Sequence, residues 1–338
     1  MKAARYHEAG KFVCEEIPDV KPGKGEVRIA VSWCGICGSD LHIYLGHMDK
    51  RVHAPLQVGH EMSGVIAEVG EGVSGWSAGD KVTVRPLDNC GDCPTCRAGF
   101  GHICENLKFM GIDTPGAFAA YWTVPAKLLH RLPDRLPLTL GALVEPLAVA
   151  CHDVRRGEAV AGDVVMVNGG GPIGILVAMV ARRAGAKVLL SEINPHRLAF
   201  AAKQGFAVVD PLRQSVPEAL EQLGAKGGAD VFFEVSGSKP GALAMTTCTR
   251  PRGRIVMVAI YPEPVPVDLH RFFWKELQLR GARVYEPEDF DAAIKLAASG
   301  ELPLESLITA KYPLSQTQQA FEFLAASANG MKILIGGE

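Results

Sequence analysis

Four cysteines stand close together in the run NCGDCPTCRAGFGHICEN: Cys90, Cys93, Cys96 and Cys104, spaced C-x2-C-x2-C-x7-C. Thiolates at this spacing can meet at the corners of a small tetrahedron. That is the arrangement of a closed structural zinc site, which shapes a loop (here about residues 88–106) and leaves no position open for chemistry. A more dispersed set of ligand-type residues precedes it: Cys37 in CGICGSDLH, and His60 with Glu61 in GHE. A lone cysteine or histidine is usually packing or surface. These three gain meaning only from the words around them.

A glycine-rich turn lies further on. Gly169-Gly170-Gly171-Pro172-Ile173-Gly174 fits G-x-G-x-x-G, follows the β-branched run VVMVN and opens an apolar helical stretch. In that setting glycines permit a tight turn and close backbone approach to a pyrophosphate, which the positive end of the helix then faces. Glu192 ends the next expected strand, 18 residues after Gly174. An acid there can accept hydrogen bonds from the adenosine ribose hydroxyls and repels the extra phosphate of NADP, so NAD is the expected cofactor. Arg197 stands nearby, placed to meet a phosphate, to stack near adenine or to face solvent.

Composition narrows the class. The chain has 338 residues, 48% hydrophobic and 21% charged, with a formal net charge of −2. That length accommodates two domains with separate cores. The charge supplies no drive toward nucleic acid or an anionic membrane. The N-terminal stretch is charged throughout, so no secretory leader is expected, and the most apolar run, residues 173–181, is too short to span a bilayer. Nine cysteines in such a chain favour thiols and metal ligands over disulfides, and a cytoplasmic location is expected.

The positioning elements follow from periodicity. Up to about residue 150, short β-branched runs such as EVRIAVSWC and SGVIAEVG alternate with turns such as KPGKGE and EGVSGWSAGDKV. This predicts a mostly β domain. From Asp163 strands and helices alternate: VVMVN, GPIGILVAMVARRAG, KVLLSE, HRLAFAAKQG, ADVFFEVSG, GRIVMVAI. Alternation of this kind predicts a doubly wound parallel sheet, an α/β Rossmann domain over 151–285. Two more helical stretches and the closing strand MKILIGG follow; that strand fits a place in either domain.

Read together, the words CGICGSDLH, GHEMSGVIAEVGEGV, LVEPLAVACH and NGGGPIG, in this order along essentially the whole chain, resemble the zinc-containing medium-chain dehydrogenase/reductase family. The resemblance implies a GroES-like catalytic domain over 1–150 and 286–338. It also implies two zinc ions per chain, NAD, and reversible oxidation of a secondary alcohol. Cys37 and His60 match the first two catalytic zinc ligands. Alcohol dehydrogenases of the family place a cysteine later; this chain has Glu145. That departure resembles the polyol, threonine and butanediol dehydrogenase branch, in which Glu61 is the neighbouring carboxylate, ligating directly or through water.

Zinc matters in the family because hydride leaves an alkoxide more easily than an alcohol. A catalytic zinc lowers the pKa of bound water from its very high free value to about 7, and a similar gain for an alcohol corresponds to at most about 12 kcal/mol.

The same resemblance assigns the substrate-oxygen contact to Ser39 and the proton relay to His42. Asp40, between them, is expected to help hold the zinc region together, with an arginine as one candidate partner. It places backbone contacts to nicotinamide at Val258 and Ile260, at a strand end. Arg283-Val284-Tyr285 stands where polyol dehydrogenases carry an Arg-Tyr pair. Cys34 matches no ligand position and reads as packing. The implied substrate is a polyol, sugar acid or vicinal diol, and a homo-oligomer is implied, a tetramer ahead of a dimer. L-threonine 3-dehydrogenase-like activity and a catalytically silent nucleotide-binding protein are the alternatives.

Overall fold

In the computed structural model, which describes residues 1–326 and 329–336, the chain divides into two compact units. One comprises Met1–Glu145 with Glu286–Glu338, the other Pro146–Tyr285. The first crossing falls at Glu145–Pro146, where the sequence put it near Cys151. The reason is local: the Val144–Gly157 helix runs unbroken through the crossing, with no linker to mark it.

The first unit is built on a seven-stranded sheet. Its strands run in the order Leu129–Arg131, Lys81–Val84, Glu61–Val69, Glu26–Gly35, Lys332–Gly336 and Ile308–Tyr312, and Tyr121–Pro125 also pairs with Glu26–Gly35. The closing strand therefore belongs to this unit. It lies antiparallel to Glu26–Gly35 and parallel to Ile308–Tyr312. Val27, Ile29, Met62, Ile66 and Trp122 are fully buried or nearly so. Removing each such side chain from water contributes about 1.5–3 kcal/mol before entropy is counted.

Register brings the first site residues together. Gly35 pairs with Glu61 on one side and Leu334 on the other. A Cβ at Gly35 would occupy the space of the Glu61 carboxylate, so only glycine leaves room for that side chain to cross the strand. Cys37 follows two residues later as the N-cap of the Gly38–Tyr44 helix.

The second unit is a six-stranded parallel sheet. Its order is Ala207–Val209, Lys187–Ser191, Val164–Asn168, Ala229–Glu234, Thr249–Met257, Gln278–Gly281. Numbered along the chain this is 3-2-1-4-5-6, the doubly wound arrangement that binds dinucleotides where the order reverses. Val164, Met166, Leu189, Phe232, Met245 and Ile255 pack together in one of its cores. The strands are near-continuous apolar runs because such a sheet is covered on both faces. Val258 follows directly on the Thr249–Met257 strand, and Ile260 lies two residues further on. Among the described residues no helix is long and apolar enough to cross a membrane.

Candidate functional site

The four-cysteine lobe closes on itself. One ligand atom from each of Cys90, Cys93, Cys96 and Cys104 lies within 4.8 Å of the others. Cys93 and Cys104 Sγ are 3.8 Å apart, and Cys104 and Cys90 Sγ 3.5 Å. Four sulfurs about 2.3 Å from a tetrahedral zinc are about 3.8 Å from one another, so the donor set fits that ion. Backbone N–H groups point at the sulfurs: Cys96 to Cys93 Sγ (3.4 Å), Cys90 and Asn106 to Cys104 Sγ (3.5 and 3.3 Å). Such donors favour thiolate, and those of Glu105 and Cys96 bring the Cys93 thiol down to about 6.

A second cluster gathers residues distant in sequence. Ligand atoms of Cys37, His60 and Glu61 lie within 4.8 Å of one another. His60 and Glu61 are buried, and Cys37 is half-buried. Asp40 sits behind them, fully buried. Its Oδ2 accepts the Cys37 backbone N–H at 2.9 Å, and its Oδ1 lies 3.6 Å from His60 Nδ1. Among the described residues no arginine stands beside Asp40; its neighbours are the Cys37 amide, which donates to it, and the His60 ring, which approaches without a hydrogen bond. Both groups are adjacent in space because the helix N-terminus and the start of the Glu61–Val69 strand meet here.

The electrostatics of this cluster suit a cation. Burial works against a charged imidazole, yet the charge of Asp40, a hydrogen bond with the Cys37 sulfur and that sulfur's charge, and Glu145 together push His60 up to about 10. Burial lifts Asp40 to about 6, against the lowering effect of His60. A place where anionic groups outweigh the desolvation of a positive charge is one that a divalent ion can occupy. The set of one thiolate, one imidazole and carboxylates is a zinc donor set. Glu145 lies in the first turn of its helix and is 4% exposed. It acts electrostatically on both His60 and Lys332.

Lys332 is the residue sequence reasoning missed. Its ammonium reaches both carboxylate oxygens of Glu61 and donates to the Ile36 carbonyl at 3.2 Å. Burial acts to lower the lysine, but Glu61, Cys37 and Glu145 carry it above its usual range. The available signal was one cation in the otherwise apolar closing strand MKILIGG.

Ser39 Oγ is buried without a hydrogen-bond partner, a hydroxyl available to a bound group. His42 is exposed, with its Nδ1 3.1 Å from His47 Nδ1. Cys34 is buried under Gly59, consistent with packing.

In the second unit the glycine-rich loop joins the Val164–Asn168 strand to the Pro172–Arg183 helix, with Gly171 as N-cap and Pro172 at the first helical position. Gly169 has φ +114°, which favours glycine, and a Cβ on Gly174 would collide with the Gly169 carbonyl. Ile173 lies in the first turn of that helix. Glu192 is turned inward. Its carboxylate accepts the N–H groups of Gly170 (2.8 Å), Ile193 (2.7 Å) and Asn194 (2.8 Å). It therefore braces the loop. A Cβ on Gly171 would lie 3.7 Å from an Arg197 guanidinium nitrogen, so this cation flanks the loop. Arg283 is exposed and Tyr285 fully buried.

Two family models match the sequence. One is described as an alcohol dehydrogenase GroES-like domain, over residues 23–134, and the other as zinc-binding dehydrogenase, over 172–299. The chain is 53% identical over 335 residues to a 2-dehydro-3-deoxy-L-galactonate 5-dehydrogenase of Pseudoalteromonas atlantica, covering 99% of this chain and 98% of that one. It is 36% identical to an L-threonine 3-dehydrogenase of Coxiella burnetii, with 94% of each covered. Among solved structures it is similar to a zinc-binding dehydrogenase of Sinorhizobium meliloti bound to NADP. There the TM-score is 0.93 at 31% identity, over 99% of this chain and 98% of that one.

Proposed function

The chain belongs to the zinc-containing medium-chain dehydrogenase family, and from that premise we propose that it oxidises a secondary alcohol of a sugar acid, polyol or vicinal diol with NAD. The observation that carries this reading is the convergence of Cys37, His60 and Glu61 ligand atoms within 4.8 Å. Cys37, His60 and Glu145 would hold a catalytic zinc, with Glu61 as the adjacent carboxylate. The four-cysteine lobe would hold a structural one. When bound, the catalytic ion supplies Lewis acidity that favours ionisation of the alcohol.

The chain's own residues do the rest. Asp40 anchors the Cys37 backbone and keeps a carboxylate oxygen 3.6 Å from His60 Nδ1, where it favours the orientation of the imidazole toward the site. Lys332 keeps the Glu61 carboxylate compensated while it stands beside the site. The unpartnered Ser39 hydroxyl accepts the substrate's proton and passes it on, and exposed His42 delivers it to solvent. The first unit is read as the substrate and metal domain and the second as the dinucleotide domain. Glu192 supports NAD over NADP, because a 2′-phosphate would approach a carboxylate already anchored in place.

A sugar acid leads the substrate classes, since the relative at 53% identity is named for one. A homo-oligomer is supported by the open edge of the parallel sheet. The Gln278–Gly281 strand ends it, and nearby in sequence Phe273 (76% exposed) and Trp274 (68%) face solvent. A cytoplasmic location and the tetrameric state remain part of this proposal.

A panel of aldonates and deoxy-ketoaldonates, polyols, 2,3-butanediol and L-threonine, followed by NADH absorbance, tests the reading. The highest kcat/KM is expected on a sugar acid. Turnover restricted to L-threonine overturns the substrate class, and no turnover of any alcohol overturns the dehydrogenase reading.

A further inference from the structure

The dinucleotide unit contains a buried acid with no part in the chemistry described above. Glu234 is fully buried at the end of the Ala229–Glu234 strand. Asn168 ends the neighbouring parallel strand, Val164–Asn168. The two strands flank the point where the strand order reverses. Asn168 Nδ2 donates to Glu234 Oε2 at 2.7 Å, spanning that point. Glu234 Oε1 accepts the N–H groups of Ser236 and Gly237, each at 3.0 Å, and the Ser236 hydroxyl at 2.6 Å. All four donors are neutral, so the carboxylate is well solvated by the protein but its charge is not cancelled.

The same residue underlies the following turn. The Glu234 carbonyl accepts the N–H groups of Val258 and Ala259, each at 3.0 Å. Tyr261, just beyond the turn, lies against the same carboxylate: burial, then the charge of Glu234 and a hydrogen bond with it, raise the phenol above its usual range.

A dinucleotide lies across the carboxyl ends of such a sheet at the reversal point. The glycine-rich loop takes the pyrophosphate, and the Lys187–Ser191 strand with Glu192 marks the adenosine side. The nicotinamide half is left to the Glu234 side. Its ring is a cation when oxidised and neutral once it has accepted hydride. A fixed anion close by lowers the free energy of the first form and not of the second.

We propose that Glu234 is an electrostatic positioning residue that makes the site prefer oxidised over reduced nicotinamide, through the charge it holds beneath the Val258–Ile260 turn. This rests on the reading of the chain as an NAD-linked dehydrogenase.

The test is binding, without substrate. NAD is titrated by calorimetry and NADH by its fluorescence, on the unmodified full chain and on Glu234→Gln, which keeps shape and removes charge. The ratio of the two dissociation constants is expected to move about tenfold against NAD, with NADH affinity changed less than about twofold. Equal losses for both cofactors in Glu234→Gln, or no change in either, overturn the proposal. If Glu234→Gln does not fold, Ser236→Ala removes the shortest donor to the same carboxylate and is expected to widen the preference for NAD; an unchanged or narrower preference overturns it. An unmodified chain that binds neither cofactor overturns the dehydrogenase reading itself.

Discussion

Lys332 and Glu61 form a buried ion pair across the Glu26–Gly35 strand that separates their own two strands, and it stands directly against the cluster that could hold the catalytic metal. The two side chains are 3% and 1% exposed, so neither charge is compensated by water. Removing the ammonium alone leaves a buried carboxylate unpaired. Lys332→Met is expected to cost about 3–5 kcal/mol in denaturant unfolding, and Lys332→Met with Glu61→Gln is expected to recover most of that. A single-variant loss below about 1 kcal/mol would show that the pair is dispensable.

Asp40 acts through its neighbours. It contacts the His60 ring and the Cys37 backbone, so Asp40→Asn keeps the cap on the helix but weakens the hold on the imidazole. Zinc affinity of the site is expected to fall about 10–100-fold, with zinc in the cysteine lobe unaffected. Competition against a chromophoric chelator measures it. Equal release of both ions would contradict the assignment of Asp40 to one site.

Glu192 braces the loop at Gly170 in this structure, and the proposed function gives it a second task at the ribose. Glu192→Ala is expected to raise the KM for NAD about tenfold or more and to narrow the gap to NADP, with Arg197 left as the cation beside the loop. Steady-state kinetics with both cofactors check this. Equal kcat/KM for NAD and NADP in the unmodified protein would already refute the assignment.

The open edge at Gln278–Gly281 yields a prediction on assembly. Placing charge on the exposed aromatic pair, Phe273→Asp with Trp274→Asp, is expected to reduce the molecular mass seen by light scattering. A monomeric unmodified protein would remove the proposed oligomer.

Much of this was legible in the sequence. The cysteine lobe, the glycine-rich loop and the alternation of strands and helices are local patterns, and local patterns survive without coordinates. Glu192 was legible as an acid at a strand end, but not its three backbone donors, since these depend on how the loop folds back. Lys332 is 271 residues from Glu61, and only the sheet order brings the two strands to either side of Gly35. Nothing in MKILIGG says which element it pairs with. Asp40 was assigned a supporting role with the wrong partner for the same reason: His60 is near only once the helix after Cys37 packs beside the strand beginning at Glu61.

The central claim is that Cys37 helps hold an ion that makes the substrate alcohol acidic. Zinc per chain, measured by elemental analysis alongside turnover in the unmodified protein and in Cys37→Ser, tests it most directly. The account predicts about two zinc per chain falling to about one, with turnover lost and the unfolding transition retained because the cysteine lobe stays loaded. A Cys37→Ser protein that keeps both ions and turns over normally would contradict it.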